Sequence, residues 1–467
     1  MNAPVPLEEE PRWEGVREVM AMSGPIILGS LSYTVMGFAD RVMVARVGVD
    51  ALAAVGSADI GSYTLSTLFM GIVSVVATFA AQCEGRGERE NCARYAWQGL
   101  YLSLAGIVFA LVLWPLAGPL FRSMDHTAEV TRQEILYFRI RLTGYFFVGV
   151  MAALGGFFQG VNQPRVPMYA AIAGNVTNLV FNYLLIYGKF GFPRLEIAGA
   201  AVATVMGMGV QSGLMFAWFL APRLRAEYGT LRGWRPHFGR MRELTAVGVP
   251  AAMSMFLDVA NWWIWMSFII GRFGAAHLAA NTIALSFNHI TFMPVIGLHQ
   301  GIAAITGQWI GRGDIPRAKA RTRTTIKLSM AYMVCMGTVF AVFGGVLARH
   351  IFQPEDPGVV TLAHRALMIA ALFQAFDAVN ISVMGALRGA GDTRWMMWMT
   401  VVLAYGFSLP LAWLFAVVLD GRTLGAWAAA TLFIMVLSAA LWRRFEGERW
   451  RGINIFTHTG AGGGAPE

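Results

Sequence analysis

The chain has 467 residues, 36 of them Lys or Arg against 27 Asp or Glu, for a net charge of +9. It is 56% hydrophobic and only 13% charged, with a mean hydropathy of +0.55. A soluble protein carries about 25% charged residues, so this composition excludes a string of soluble domains. The three cysteines, Cys83, Cys92 and Cys335, form no CxxC pair and exclude a disulfide framework or a thiolate metal centre.

The opening segment MNAPVPLEEEPRWEG is polar and acidic, without the basic n-region or small-residue cleavage site of a signal peptide. Twelve apolar stretches follow, at about 14–46, 51–82, 92–115, 128–158, 165–189, 196–222, 240–272, 277–309, 318–344, 358–388, 394–418 and 423–445. They are continuous and lack the ten-residue alternation of a transmembrane barrel, so the chain reads as an all-α polytopic membrane protein. With the N-terminus placed in the cytoplasm, 23 of the 36 basic residues fall on that side. Six of them are Arg223, Arg225, Arg232, Arg235, Arg240 and Arg242, and five are Arg312, Arg317, Lys319, Arg321 and Arg323. The asymmetry puts both termini inside and accounts for the positive charge by topology rather than by nucleic-acid binding. The tail ending in THTGAGGGAPE is Gly-rich and reads as disordered.

The halves repeat at an offset of 225–229 residues. Ser23-Gly24-Pro25 answers Gly248-Val249-Pro250, and Arg46-Val47-Gly48 answers Arg272-Phe273-Gly274. QCEGRGE (82–88) answers QWIGRGD (308–314), and GFFQGVNQPR (156–165) answers GALRGAGDTR (385–394). Six spans separate equivalent positions, so the halves run parallel, related by a pseudo-two-fold axis along the membrane normal. The expected architecture is two six-helix bundles with a cleft between them. The N-terminal lobe is 1–222, a basic cytoplasmic linker is 223–239, the C-terminal lobe is 240–445 and a disordered tail is 446–467. Pro25 and Pro250 are each expected to bend the first helix of their half.

The polar residues do not follow the repeat. Asp258 corresponds to Tyr33, Asp377 to Val148, and Asn178 and Asn182 to Phe407 and Leu411. Asp258 lies within the seventh span, with Asn261, Trp262 and Trp265 at i+3, i+4 and i+7 on one face. Asp377 lies within the tenth, with Gln374 three residues before it, Met384 seven after, and Phe373, Phe376 and Asn380 on the neighbouring stripe. A charged carboxylate at bilayer depth costs about 2.5–3.5 kcal/mol even on the mild insertion scale, so it belongs on a cavity with an exchangeable partner. Neither aspartate has a Lys or Arg one turn away. Each can take a proton, a metal cation or an organic cation, and the aromatic and Met neighbours suit flat lipophilic cations. Substrate contacts are therefore expected from Asp258, Asp377, Asn261, Trp262, Trp265, Phe373 and Met384, joined by Asn288 and Gln300 of the eighth span, where ordinary interhelical bonding competes with that role. In the other half, Asn175, Asn178 and Asn182 form one stripe on the fifth span; with Asp40 and Thr204 they offer oxygens to a hard ion such as Na⁺. No nucleotide-binding Gly loop, HExxH or GxSxG is present, so the chain does not read as an enzyme, and no cofactor beyond a coupling ion is expected.

Taken together, GFADRVMVARVG (37–48), QCEGRGE, GFFQGVNQPR, NVTNLVFNYLLIYG (175–188), IAGAAVAT (197–204), FLDV (256–259) and LRGAGDT (387–393) resemble the multidrug and toxic compound extrusion (MATE) transporters, in the NorM-like bacterial branch. The resemblance spans about 14–445. It implies export of cationic, lipophilic compounds in exchange for Na⁺ or H⁺, by rocking of two lobes in the inner membrane, and we expect a monomer. It implies coupling-cation sites at Asp258 and Asp377, and at Asp40, Asn178, Asn182 and Thr204. Asp258 stands where relatives often have Glu, Asn182 where some have Asp, and Arg41 where a small polar residue is usual. The rival within the same superfamily is a lipid-linked oligosaccharide flippase, whose pyrophosphate substrate calls for Arg or Lys in the cleft.

Overall fold

A computed structural model describes residues 10–124, 126–352 and 356–457. In a bilayer an apolar stretch must satisfy its own backbone, and every long element among the described residues is helical. The twelve spans are α1 (Trp13–Ala45), α2 (Asp50–Arg86), α3 (Arg89–Arg122), α4 (Ala128–Leu142 with Tyr145–Gly160), α5 (Arg165–Tyr187) and α6 (Ile197–Phe219), then α7 (Phe238–Phe273), α8 (Ala276–Gly311), α9 (Ile315–Phe352), α10 (Pro357–Ala390), α11 (Thr393–Val418) and α12 (Arg422–Glu446). The fourth span, continuous in the sequence reading, is a broken helix bent by 43° at Thr143–Gly144. α1 and α7 run on as helices through Pro25 and Pro250.

The repeated glycine motifs are helix stops. Gly87 and Gly313 adopt left-handed backbone (φ 78° and 76°). In each, the following N–H reaches back five residues, Glu88 to Cys83 at 2.9 Å and Asp314 to Trp309 at 2.9 Å. The second pair of motifs closes the same way at Asn162 (φ 59°) and Gly391 (φ 84°), through Gln163 to Phe158 at 2.7 Å and Asp392 to Leu387 at 3.0 Å. Only Gly, or Asn at small cost, takes this conformation readily, so the duplicated sequence encodes the same two termini twice.

The helices group into two compact units, and these differ from the contiguous lobes expected. One holds the chain up to Ile27 together with Met253–Ile453; the other holds Leu28–Ala252 and the chain from Asn454. The exchange falls two residues after each proline. Close helix approach explains it. A Cβ on Gly297 of α8 would come within 2.5 Å of Ile27, and one on Gly71 of α2 within 2.4 Å of the Cα of Ala252. Bare backbone at these points lets the first turns of α1 and α7 seat where bulkier residues would hold them off.

In the first unit, Arg321 is buried and bonds Glu10 and Glu18 at 2.5 Å each, while Lys319 meets Glu446 and Glu448 at 2.9 Å. Several basic residues assigned to topology are thus also structural. In the second unit, the linker after α6 contains a short helix, Pro222–Tyr228. It is pinned by Trp97, which donates to the Thr230 carbonyl at 2.6 Å, and by Gln98, which donates to the Arg235 carbonyl at 3.1 Å.

The tail departs from expectation as far as it is described. Trp450 stacks on Phe445 at 5.6 Å, and Ile455 and Phe456 are buried in the second unit. Phe456 packs on Phe79 and Tyr95, with the Arg86 guanidinium 4.2 Å from its ring. Three large apolar side chains gain more from burial than this short segment loses in freedom. The Gly-rich remainder, 458–467, lies outside the described residues.

Candidate functional site

α10 is apolar on most faces, yet it buries Gln374, Asp377 and Asn380 together. Asp377 is 2% exposed. One of its oxygens accepts a 2.8 Å hydrogen bond from the Asn380 amide; the other has no donor within the protein. No Lys or Arg forms a salt bridge with Asp377 or Asp258 among the described residues. Asp258 on α7 is exposed and stands within electrostatic reach of Asp377. Its neighbour Asn261 is buried, and the Asn261 carbonyl oxygen also lacks a donor, as does that of Asn380. Acceptors therefore outnumber donors around the two carboxylates, which is the imbalance a bound cation or proton corrects.

The aromatic residues divide by depth. Trp262 is half-buried and touches Trp265 (5.6 Å between ring centroids) and Phe373 (6.2 Å). Trp265 and Phe373 are both 1% exposed and pack on Trp427. They form a wall behind Trp262 rather than a free contact surface. Met384 and Gln300 are half-buried. Asn288 is buried and accepts from Gln374 at 3.2 Å, tying α8 to α10.

The second unit assembles the other predicted set as a relay. Thr204 accepts from Asn178 at 3.2 Å, Asn178 accepts from Asn182 at 3.1 Å, and the same Asn182 amide donates to Asp40. The Asn182 carbonyl oxygen is buried without a donor. Asn175, on the same stripe, instead donates to Ser32 at 2.7 Å. Arg41 is exposed and within electrostatic reach of Asp40, but it forms no salt bridge among the described residues. The sequence reading missed two members of this neighbourhood. Asp59 of α2 and Arg141 of α4 form a 3.2 Å ion pair, and both stand within electrostatic reach of Asp40. The available signal was a carboxylate alone in the second apolar stretch, 51–82, and a guanidinium in the fourth, which also holds Glu129, Arg132, Glu134 and Arg139.

The MatE family model matches residues 25–184 and 250–414, which is most of both halves. A probable multidrug resistance protein NorM from Pseudomonas putida is 29% identical over 447 residues, covering 93% of this chain and 94% of the relative. The multidrug resistance protein MdtK of Yersinia pseudotuberculosis is 29% identical over 407 residues, covering 85% and 87%. Among solved structures, an outward-facing multidrug resistance MATE family transporter superposes with a TM-score of 0.85 at 21% identity, covering 94% of this chain and 97% of that one. A MOP superfamily transporter from Pyrococcus furiosus superposes with a TM-score of 0.84 at 22% identity, covering 94% and 97%. The two structural matches carry the fold, and the family model carries membership: this chain belongs to the multidrug and toxic compound extrusion (MatE) family.

Proposed function

We propose that this protein is a secondary active antiporter that exports cationic, lipophilic compounds in exchange for Na⁺ or H⁺. It works by alternating access, in the inner membrane, with both termini in the cytoplasm. The observation that carries the reading is Asp377: a carboxylate buried in a membrane helix, with one oxygen bonded to Asn380, the other without a donor in the protein, and no Lys or Arg in a salt bridge with it among the described residues. Such a group is costly unless it is repeatedly neutralised. Asp258, exposed on α7, offers an organic cation a charge partner, Trp262 one turn on offers a ring face, and Met384 on α10 offers adaptable packing. If coupling ion and substrate compete for the same carboxylates, each displaces the other. The strength of coupling is then the difference in affinity between the two access states. The names of the relatives, multidrug resistance proteins, support the substrate class.

The test is reconstitution of the full chain in liposomes, with a Na⁺ gradient or a pH gradient imposed separately while a fluorescent organic cation is followed. Accumulation driven by one gradient and abolished when it is dissipated is expected. A protein that ignores organic cations under both gradients while moving a labelled lipid-linked oligosaccharide would overturn the proposal in favour of the flippase.

A further inference from the structure

We infer that Arg141 is a tethered cation that occupies the polar site of the second unit and keeps free Na⁺ out of it. The guanidinium is 11% exposed and reaches the site from α4. One terminal nitrogen donates to Asp59 at 3.2 Å; the other lies 3.8 Å from the sulfur of Met208. Met208 follows Thr204 by one turn on α6, so it projects from the same face. The guanidinium is thereby placed beside the relay of Thr204, Asn178, Asn182 and Asp40. Its Nε is buried without a hydrogen-bond partner, and Met208 is a weak acceptor, so this guanidinium is held by one carboxylate and under-satisfied elsewhere.

Two consequences follow for a small metal ion. With Asp40, Asp59 and Arg141 ionised, these three groups carry one net negative charge rather than the two left without the guanidinium, Arg41 contributing equally in either case, and a fixed positive charge stands beside the groups that would ligate the ion. The second is geometric. The Asn182 amide donates to Asp40, and the Asn178 amide to Thr204, so N–H groups occupy the acceptor oxygens that Na⁺ would need. The Asn182 carbonyl oxygen remains without a donor, but the oxygens of Thr204, Asn178 and Asp40 that would join it around Na⁺ each already accept an N–H. Metal-ion binding is then left to the oxygen-rich site around Asp377 and Asp258, where no guanidinium takes part in a salt bridge. This deepens the antiport reading by assigning the two sites different occupants, and it rests on that reading only in treating the relay as a cation site.

Binding rather than transport tests it, so that a failed transport assay leaves the result interpretable. The full chain is purified in detergent, and its melting temperature is followed as choline chloride is replaced by NaCl at constant ionic strength. All variants carry Asp377→Asn to silence the other site. With Arg141 present, Na⁺ should give no saturable shift. Removing the guanidinium, as Arg141→Gln, should create a saturable shift with an apparent Na⁺ affinity at least about tenfold higher, as expected on removing a unit positive charge a few ångströms away at moderate dielectric. Arg141→Lys should leave the site closed. The Asp59 that Arg141→Gln leaves unpaired is 46% exposed, so the variant should fold; Arg141→Gln with Asp59→Asn, which leaves the net charge unchanged, should bind Na⁺ more weakly than Arg141→Gln alone. Equal Na⁺ binding with and without Arg141, or no Na⁺ response once the guanidinium is gone, would overturn the inference.

Discussion

Replacing Asp377 by Asn removes a charge while keeping shape, which makes it the sharpest probe of the coupling site. The side chain amide can turn its oxygen to the Asn380 N–H₂ and so retain the 2.8 Å bond. Its own N–H₂ then falls where the unpartnered carboxylate oxygen lay, near acceptors that lack donors. A typical hydrogen bond contributes about 1 kcal/mol net, and the buried charge itself costs about 2.5–3.5 kcal/mol at mid-bilayer. The variant should therefore fold at least as stably as the parent. Function should respond in the opposite sense. A tenfold ion gradient is worth about 1.4 kcal/mol and supports about a tenfold substrate gradient for each ion exchanged. Without the carboxylate that ion is not carried. The assay compares dye accumulation in liposomes under a tenfold gradient with the melting temperature in detergent. The expected result is an accumulation ratio near one with an unchanged or raised melting temperature. Accumulation equal to that of the parent protein would refute the site, and a melting temperature lowered by several degrees would refute the account of its energetics.

Three further outcomes are expected, each read as a melting temperature in detergent. Gly71→Ala should destabilise by about 1–3 kcal/mol through overpacking, because its Cβ would meet the Cα of Ala252 at 2.4 Å; Gly37→Ala, which meets no atom within 4 Å, is the control. Arg321→Met should lower stability by about 3–5 kcal/mol, since Glu10 and Glu18 lose a partner bonded at 2.5 Å and are left largely buried, and an unchanged melting temperature would mean the cluster is only a topological signal. Phe456→Ala should cost about 3–5 kcal/mol by emptying the slot between Phe79 and Tyr95; a tail that contributed nothing would show no change.

Much of the site was legible before any coordinates, because lipid makes ionisable residues conspicuous. Asp258, Asp377 and Asp40 stand out in apolar helices whatever their surroundings, and the i, i+3, i+7 spacing put Asn175, Asn178 and Asn182 on one stripe. What the spacing could not tell was how each residue is used. Trp265 and Phe373 share a helical face with a carboxylate yet pack into the interior against Trp427. Asp59 and Arg141 lie in different spans and are partners 82 residues apart. A pairing of that range depends on how α2 and α4 lie together, which no local pattern records.

The amino-acid sequence by itself determined the helices, their number and their ends. Hydrocarbon permits no unpaired backbone, so apolar length dictates each span, and left-handed Gly or Asn positions stop it. It also determined the duplication, since the same stop motifs recur in the same order. Only the tertiary structure decided which unit each segment joins. The first turns of α1 and α7 join the helices of the opposite half, and the last apolar residues of the tail join the first half's unit. Those choices rest on contacts at a few bare glycines and one aromatic slot, where shape complementarity between distant segments outweighs chain order.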